Sequence, residues 1–452
     1  MEKCVNLFLF HRDLRLQDNT ALFECLLRSK KVVPCFIFVP EQISSKNEYK
    51  SDNCVQFMIE CLSSLDRTIR KISHEQSFLN VFHGENTSVF NKIIRSGCKI
   101  EAIYSTIDYT PYAINRDAEI KDWCLAHGVQ YYSSEDVLLH PLKKDYVLTQ
   151  TGAPFKKFTP FFNEALRHKV SKPRKLLDKY WKNLTSLPEH VPFDFRSFSM
   201  HRNPRLAQHG GRKNAITALR GDGSLSAYNK FGCLSIREVY WFLHSRHSER
   251  TRGLYWRDFY YRIVWYFPNV LQLQQGCNRN FKPQYNKLQW SKNEAHFAKW
   301  CKGLTGFPIV DAGMRELNQT GNISNRMRLI VASFLVKDLH INWEEGERYF
   351  ATKLIDYDPA QNNGNWQWVA GSGTDSQPYF RIFNPWNQSQ KYDPDATYIK
   401  KWIPELLSIP PARIHRWFAQ YNNSQYAKPI VDHDKEKKIA PKLAYSVVGK
   451  NN

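Results

Sequence analysis

The sequence lacks the short motifs that mark the commonest enzyme classes. No GxGxxG or P-loop fingerprint follows a strand, and neither GxSxG nor HExxH occurs. Its ten cysteines form no CxxC pair and no Cys/His ligand set, so we expect no metal site. We interpret the cysteines as reduced thiols of an intracellular protein, and the sequence does not choose between nucleus and cytoplasm.

Long apolar runs are absent too. No segment could span a bilayer, so we expect no membrane association. The first apolar run, Val5–Phe10 (VNLFLF), is short and has no small-residue cleavage site after it. We interpret it as a strand rather than a signal peptide. The 452 residues suffice for two or three domains, and we expect a monomer.

Positive charge and aromatic rings are abundant. The 64 Lys and Arg residues outnumber 43 Asp and Glu residues, which gives a net charge of +21. Aromatic residues make up 14% of the chain and include 13 tryptophans. A basic excess suggests a polyanionic partner, most simply nucleic acid, and flat side chains suit unpaired bases or a planar cofactor.

The pattern of the chain changes along its length. Residues 1–130 alternate apolar strand-like runs with helical periodicity, which predicts an α/β domain with a parallel, Rossmann-like sheet. Residues 131–200 are irregular and rich in proline, so we interpret them as an inter-domain connection. Residues 201–430 show only helical periodicity and predict an all-α domain, while the charged residues 431–452 predict a mobile tail.

One helical segment collects unusual polar residues. The stretch DYDPAQNNGNWQWVAGSGTD, from Asp356 to Asp375, combines three acids, three asparagines and two tryptophans. Arg328 lies in the apolar part of a preceding helix and needs a carboxylate partner, for which Asp356 and Asp358 are candidates. On these residues alone, a structural ion pair is the simpler explanation.

Several longer motifs together resemble the photolyase/cryptochrome family, and most closely a class I cyclobutane pyrimidine dimer photolyase. They occur in the family's order and cover nearly the whole chain. The matching stretches are FHRDLRLQDNTAL, YTPYAINRD, LSAYNKFGCLS, WRDFYYR, GFPIVDAGMRELNQTGNISNRMRLIVASFLVKDLHINWEEGERYF and LIDYDPAQNNGNWQWVAGSGTD.

The resemblance implies a light-driven DNA-repair enzyme. It implies an α/β antenna domain followed by a helical domain that binds FAD in a folded form. The reduced flavin, excited by blue light, passes an electron to a dimer in UV-damaged DNA and recovers it after the dimer splits. The antenna domain could hold a folate, a deazaflavin, a flavin or nothing, and Asn115 and Arg116 stand where a folate-binding member has Asn-Glu.

The resemblance also assigns roles to individual residues. Asn362 is expected beside flavin N5, where an amide can donate or accept a hydrogen bond. Trp290, Trp343 and Trp366 are expected to relay electrons to the flavin. The expected cofactor-binding residues are Ser226, Ser235, Arg257, Asn325, Arg328, Asp356, Asp358 and Asn362. The expected DNA-binding residues are Trp256 and Trp368, which would line the dimer pocket, and Arg326 and Arg381, which would hold the DNA backbone.

Three departures from the family keep other functions open. Gly253 replaces a glutamate that hydrogen-bonds the dimer, Leu329 replaces a methionine, and the segment 210–226 is short. A cryptochrome-type blue-light sensor is the main alternative, and a DNA-binding protein without flavin is a third. In (6-4) photolyases, histidines occupy the positions of Asn325 and Leu329. Their absence here argues against the (6-4) photoproduct as the substrate.

Overall fold

The computed structural model describes residues 3–246, 248–272, 279–376, 381–421 and 426–448. The described chain forms two compact units, Met1–Arg202 with Gln208–Pro268 and Asn203–Ala207 with Asn269–Asn452. The strands of the first unit are β1 (Lys3–Leu9), β2 (Val32–Phe38), β3 (Asn80–His83), β4 (Cys98–Thr106) and β5 (Gln130–Ser134).

These strands form one parallel sheet in the order β3-β2-β1-β4-β5. The order reverses direction at β1, so the carboxyl ends of β1 and β4 form the topological switch point of the sheet. The central strand β1 is apolar on both faces, and Leu7 and Phe8 have no exposed surface. Such burial on both sides is expected of a parallel sheet covered by helices.

The helices of the first unit connect the strands and continue to its end. Helix α3 illustrates why they form: the Ser51 hydroxyl accepts a hydrogen bond from Cys54 N, and one face is buried. The helices are α1 (Thr20–Arg28), α2 (Pro40–Ile43), α3 (Asp52–Ile72), α4 (Asn86–Arg95), α5 (Pro111–Ala126), α6 (Phe158–Ala165), α7 (Arg212–Arg220), α8 (Ser226–Phe231), α9 (Ile236–Leu243) and α10 (Ser248–Tyr266).

The second unit is helical throughout its described part. Its core contains the fully buried Trp300, Trp343 and Trp417. Helix α13 continues into a π-helical turn, Phe334–Asp338. The helices are α11 (Glu294–Lys302), α12 (Pro308–Thr320), α13 (Asn325–Ser333), α14 (Trp343–Lys353), α15 (Pro359–Ala370), α16 (Pro385–Tyr392), α17 (Thr397–Trp402), α18 (Pro411–Ile414), α19 (Trp417–Gln420) and α20 (His433–Val448).

The sequence pattern predicted the α/β and all-α regions correctly but placed some elements differently. Helix α6 and all but the first residue of strand β5 lie in the segment expected to be an irregular connection. The boundary between the compact units falls after Pro268 rather than near residue 200. None of the described helices is long and apolar enough to cross a membrane.

The segment expected to be a mobile tail contains α20, which packs against the rest of the second unit. His433 Nδ1 lies 2.5 Å from Asp338 Oδ1, and both side chains are buried. Further along the helix, Ala440 and Ala444 share an apolar cluster with Tyr285 and Leu288. The apolar positions 440, 443, 444 and 447 have helical spacing, which explains why this charged segment folds against a core.

Candidate functional site

An arginine–aspartate pair lies between helices α13 and α15 of the second unit. Arg328 Nη2 lies 3.1 and 2.9 Å from the two carboxylate oxygens of Asp356, and Arg328 Nε donates to Ile323 O at 3.0 Å. The Asp356 side chain is buried, whereas 28% of the Arg328 side chain remains exposed. Of the two candidate acids, Asp356 is thus the partner of Arg328. The ion pair holds the Arg328 guanidinium in place while part of it remains accessible.

Helix α15 begins three residues after Asp356, at Pro359. Asp358 is its N-cap, and its carboxylate accepts a hydrogen bond from Gln361 N at 3.1 Å, with Pro359 at the first helical position. Both features are typical of a well-defined helix start. Because capping fixes the first turn of α15, it also fixes the direction in which the Asn362 side chain points from the helix.

Asn362 is buried, and one side of its amide is already bound. Its Nδ2 donates to Glu347 O on α14 at 2.9 Å. No partner of Asn362 Oδ1 occurs among the described residues. The contact with α14 therefore fixes the amide orientation and leaves an acceptor oxygen for a ligand.

Two of the three expected relay tryptophans belong to the same helix pair. Trp366 lies one turn after Asn362 on α15, and its ring packs against Gly346 of α14 so closely that a Cβ on Gly346 would overlap it. Trp343, one turn before Gly346, is fully buried. Trp290 is half-buried and packs against the cluster that contains both rings. The structure thus places the three indoles on one core.

The remaining candidates of the second unit lie nearer the surface. The Arg326 guanidinium lies 4.4 Å from the centroid of the Tyr392 ring. Asn325, the first residue of α13, and Arg381 are exposed. Trp368 is half-buried and packs against the same core as Trp366. Accessible basic and aromatic side chains are the kinds of residue that nucleic-acid binding uses.

In the first unit, the aromatic candidate on α10 is stacked against a neighbour. The Trp256 ring lies parallel to Phe158 of α6, with centroids 3.6 Å apart and an interplanar angle of 5°. Arg257 is buried, and its Nη1 donates to Val137 O at 2.6 Å. One face of the Trp256 indole is therefore covered, and Arg257 holds the connecting segment against α10.

The two serine candidates differ sharply in environment. Ser226 is exposed at the start of α8, and its hydroxyl lies 3.0 Å from that of Ser224. Ser235 is fully buried as the N-cap of α9, where it donates to Asp18 Oδ2 and accepts from Glu238 N. The Ser235 hydroxyl therefore both donates and accepts a hydrogen bond within the protein, whereas that of Ser226 lies at the surface.

The switch point of the sheet holds titratable groups near the segment expected to bind an antenna. Burial, followed by the charge of Arg116, lowers the pKa of His11 well below its usual range. Arg116 is itself tied to Asp117, with Nε and Nη2 at 2.9 and 2.7 Å from Oδ1. A neutral imidazole and an ion-paired guanidinium favour none of the antenna chromophores over the others.

A buried ion pair beside Trp343 was not predicted from the sequence. Arg279 Nη1 and Nη2 each lie 3.1 Å from a carboxylate oxygen of Glu347, and both side chains are almost fully buried. The spacing of Trp343, Glu347 and Phe350 on one face of α14 was a signal, because it places an acid among buried aromatic residues. No group of three or more potential metal ligands occurs among the described residues.

Two family models match this chain. The model described as "DNA photolyase" matches residues 6–177, and that described as "FAD binding domain of DNA photolyase" matches residues 250–445. The deoxyribodipyrimidine photo-lyase of Vibrio cholerae is 34% identical, over 97% of this chain and 99% of that protein. The Escherichia coli enzyme of the same name is 33% identical, over 98% of each chain.

Solved structures share the whole architecture. A photolyase from Sulfolobus tokodaii is described as holding two FAD molecules, with the implication of a novel light-harvesting cofactor. It has a TM-score of 0.88 and 38% identity over 98% of this chain and 100% of its own. A Synechocystis cryptochrome has a TM-score of 0.83 and 26% identity over 98% and 99%. With family models and full-length relatives in agreement, the chain belongs to the DNA photolyase family and carries its FAD-binding domain.

Proposed function

We propose that this protein repairs cyclobutane pyrimidine dimers in UV-damaged DNA by a light-driven reaction of reduced FAD. The observation that carries the proposal is the fixed amide of Asn362. This residue lies on α15, the helix that follows Asp356 of the Arg328–Asp356 pair, and its Nδ2 donates to Glu347 O at 2.9 Å. Such an arrangement suits a ring system that needs a hydrogen-bond acceptor at one atom and a positive charge nearby.

The residues of the second unit fit the flavin chemically. FAD in its reduced state supplies an electron donor that blue light makes strong enough to reduce a pyrimidine dimer. Asn362 Oδ1 would accept a hydrogen bond from a ring N–H, because its Nδ2 is bound to Glu347 O. Arg328, held in place by Asp356, would stabilise negative charge on the ring, and Asp358 would face its polar edge.

The tryptophans on the shared core would bring the flavin into its reduced state. Indoles are oxidisable, so a row of them can carry an electron inward from the surface. Trp366 lies one turn from Asn362 on α15, Trp343 is fully buried, and Trp290 is half-buried. We assign the electron path as Trp290 to Trp343 to Trp366, because Trp290 is the most exposed of the three and Trp366 shares helix α15 with Asn362.

DNA would bind mainly through charge, and the lesion through aromatic contacts. The net charge of +21 favours phosphate contacts, for which Arg326 and Arg381 are candidates. A dimer must leave the duplex stack to reach a flavin, and photolyases are among the known base-flipping enzymes. Trp256 and Trp368 are the aromatic candidates for contacts with the flipped dimer. We favour the cyclobutane dimer over the (6-4) product because Asn325 and Leu329 replace the histidines of (6-4) enzymes.

The deciding experiment uses purified protein, reduced chemically, and a duplex with one thymine dimer. We expect blue light, but not darkness, to restore normal thymines, and we expect raised salt to weaken DNA binding steeply. Trp290→Phe serves as a matched control, because chemical reduction bypasses the relay and repair should persist. Intact dimers after illumination of flavin-loaded, reduced protein would reject the proposal.

A blue-light sensor of the cryptochrome type is the second candidate. It is favoured by Gly253, an exposed residue of α10 with no atom within 4 Å of the position that a Cβ would take. The family's glutamate, and its hydrogen bond to the dimer, are therefore missing. Light-dependent binding of a protein partner, without repair in the assay above, would support this function instead.

A further inference from the structure

Trp343 has a single hydrogen-bond partner among the described residues, and it is an amide. The indole is fully buried, and its Nε1 donates to Asn280 Oδ1 at 2.9 Å. Asn280 is buried as well, and its Nδ2 donates to Asn286 Oδ1 at 2.7 Å. The second contact orients the amide so that its oxygen faces the indole N–H.

Two charged groups beside Trp343 are bound to each other. The Arg279 guanidinium lies 5.4 Å from the centroid of the indole ring and is paired with Glu347 through two contacts of 3.1 Å. Burial raises the pKa of Glu344, the neighbour of Trp343 in sequence, while Arg279 lowers it. Neither carboxylate hydrogen-bonds the indole nitrogen, whose N–H is occupied by Asn280.

Loss of an electron makes the indole N–H much more acidic. An amide oxygen accepts a hydrogen bond but is too weak a base to take the proton. A hole on Trp343 would therefore stay a protonated cation, which an electron from Trp290 can refill without the return of a proton. A carboxylate or imidazole at the same position would take the proton and hold the hole as a neutral radical.

We propose that Asn280 is a positioning residue of the electron relay, which keeps Trp343 protonated so that this indole transmits a hole and does not store it. The inference rests on the relay in the proposed function. Each oxidised indole receives one electron from the next residue. Trp343 gives one electron to oxidised Trp366 and receives one from Trp290, and an added thiol then reduces oxidised Trp290. The oxidant that starts the sequence is the light-excited, oxidised flavin.

The first test is Asn280→Asp, which keeps the size of the side chain and supplies a base. We record transient absorption of the flavin-loaded protein after a laser flash, because cationic and neutral indole radicals have different spectra. In the variant we expect a neutral radical that lasts about tenfold longer or more than the indole cation of the unaltered protein. Lowering the pH through the pKa of the new carboxyl group should abolish this difference.

Three further variants keep the test decisive. Asn280→Gln retains an amide and should give the cation, whereas Trp343→Phe combined with Asn280→Asp should remove the long-lived neutral radical and so assign it. If Asn280→Asp does not fold, Asn280→His supplies a base of another shape, with the same expected radical and a pH profile shifted towards neutrality. Identical radicals and lifetimes in the unaltered protein and the base-containing variant, at every pH, would overturn the inference.

Failure of this inference differs from failure of the proposed function. Repair by chemically reduced protein does not require Trp343 to be oxidised, so Asn280→Asp should repair dimers normally once reduced. Absence of repair in the unaltered, reduced protein rejects the photolyase assignment and leaves the radical spectra interpretable. Normal repair with unchanged spectra rejects only the role of Asn280.

Discussion

The replacement Gly253→Glu tests whether helix α10 contacts the lesion. Gly253 is exposed within α10, one turn before Trp256, and a Cβ there meets no atom within 4 Å. The side chain of a glutamate would therefore enter open space on the same face as the Trp256 indole. No rearrangement of the helix is needed to accommodate it.

The expected magnitudes follow from this environment. Removing a glycine from a helix interior stabilises the folded chain by about 0.5–1 kcal/mol, so Gly253→Ala should raise the free energy of unfolding by that amount. A charge-assisted hydrogen bond to a dimer contributes about 1.5–3 kcal/mol, so Gly253→Glu should lower the Kd for dimer-containing DNA by about 10- to 150-fold. Gly253→Ala should leave that Kd unchanged.

The assay compares Gly253→Ala, Gly253→Gln and Gly253→Glu at one salt concentration. The Kd is measured for a duplex with one thymine dimer and for the same duplex without damage. The added negative charge should weaken binding of undamaged DNA slightly, so the selectivity for the dimer should rise more than the affinity. Equal selectivity in the alanine and glutamate variants would refute the idea that this face of α10 touches the lesion.

Three other variants probe two residues of the second unit and one buried acid of the first. Asn362→Asp should lower the yield of photoreduction measured by absorption, since a carboxylate disfavours a reduced, anionic ring; unchanged yield would remove Asn362 from the site. Gly346→Ala should cost about 1–3 kcal/mol in the free energy of unfolding by urea, because the new methyl group overlaps the Trp366 ring; full stability would contradict that packing. Burial raises the pKa of Asp258 to about 6. This carboxyl group binds more protons in the folded than in the unfolded state, so its contribution to stability falls as pH rises from about 4, its unfolded pKa, towards 6. We expect the free energy of unfolding of the unaltered protein, relative to Asp258→Asn, to decline over that range, and a parallel pair of profiles would contradict it.

The sequence predicted the elements whose periodicity is strong. Strands β1, β2 and β4 are apolar runs buried in the sheet, so their pattern is simple. Strand β5, with the sequence QYYSS, lies at the sheet edge and is only half-buried, so its residues carry no clear apolar signal. Helix α20 was missed because nine of its sixteen residues, including Pro441, are charged, polar or helix-breaking, while its four apolar contact positions are spaced across two turns.

Contacts within the candidate site could be predicted where one residue requires a partner of opposite charge. Arg328 in an apolar helix required an acid, and Asp356 was one of two expected. Asn280 could not be found in this way, because it lies in an irregular segment and its role depends on a contact with Trp343, 63 residues away. Contacts of this kind follow from packing of the whole unit and leave no local periodicity.

The docking of α20 has a practical consequence for anyone who shortens this protein. Ending the chain at residue 430 would delete His433, and Asp338 would keep its buried carboxylate without the imidazole that now contacts it. A buried carboxylate without its partner destabilises the folded protein. Loss of α20 would also expose the apolar surface around Tyr285 and Leu288, which would favour aggregation during purification. Affinity tags are therefore better fused beyond Val448, after the last helical turn, than used to replace it.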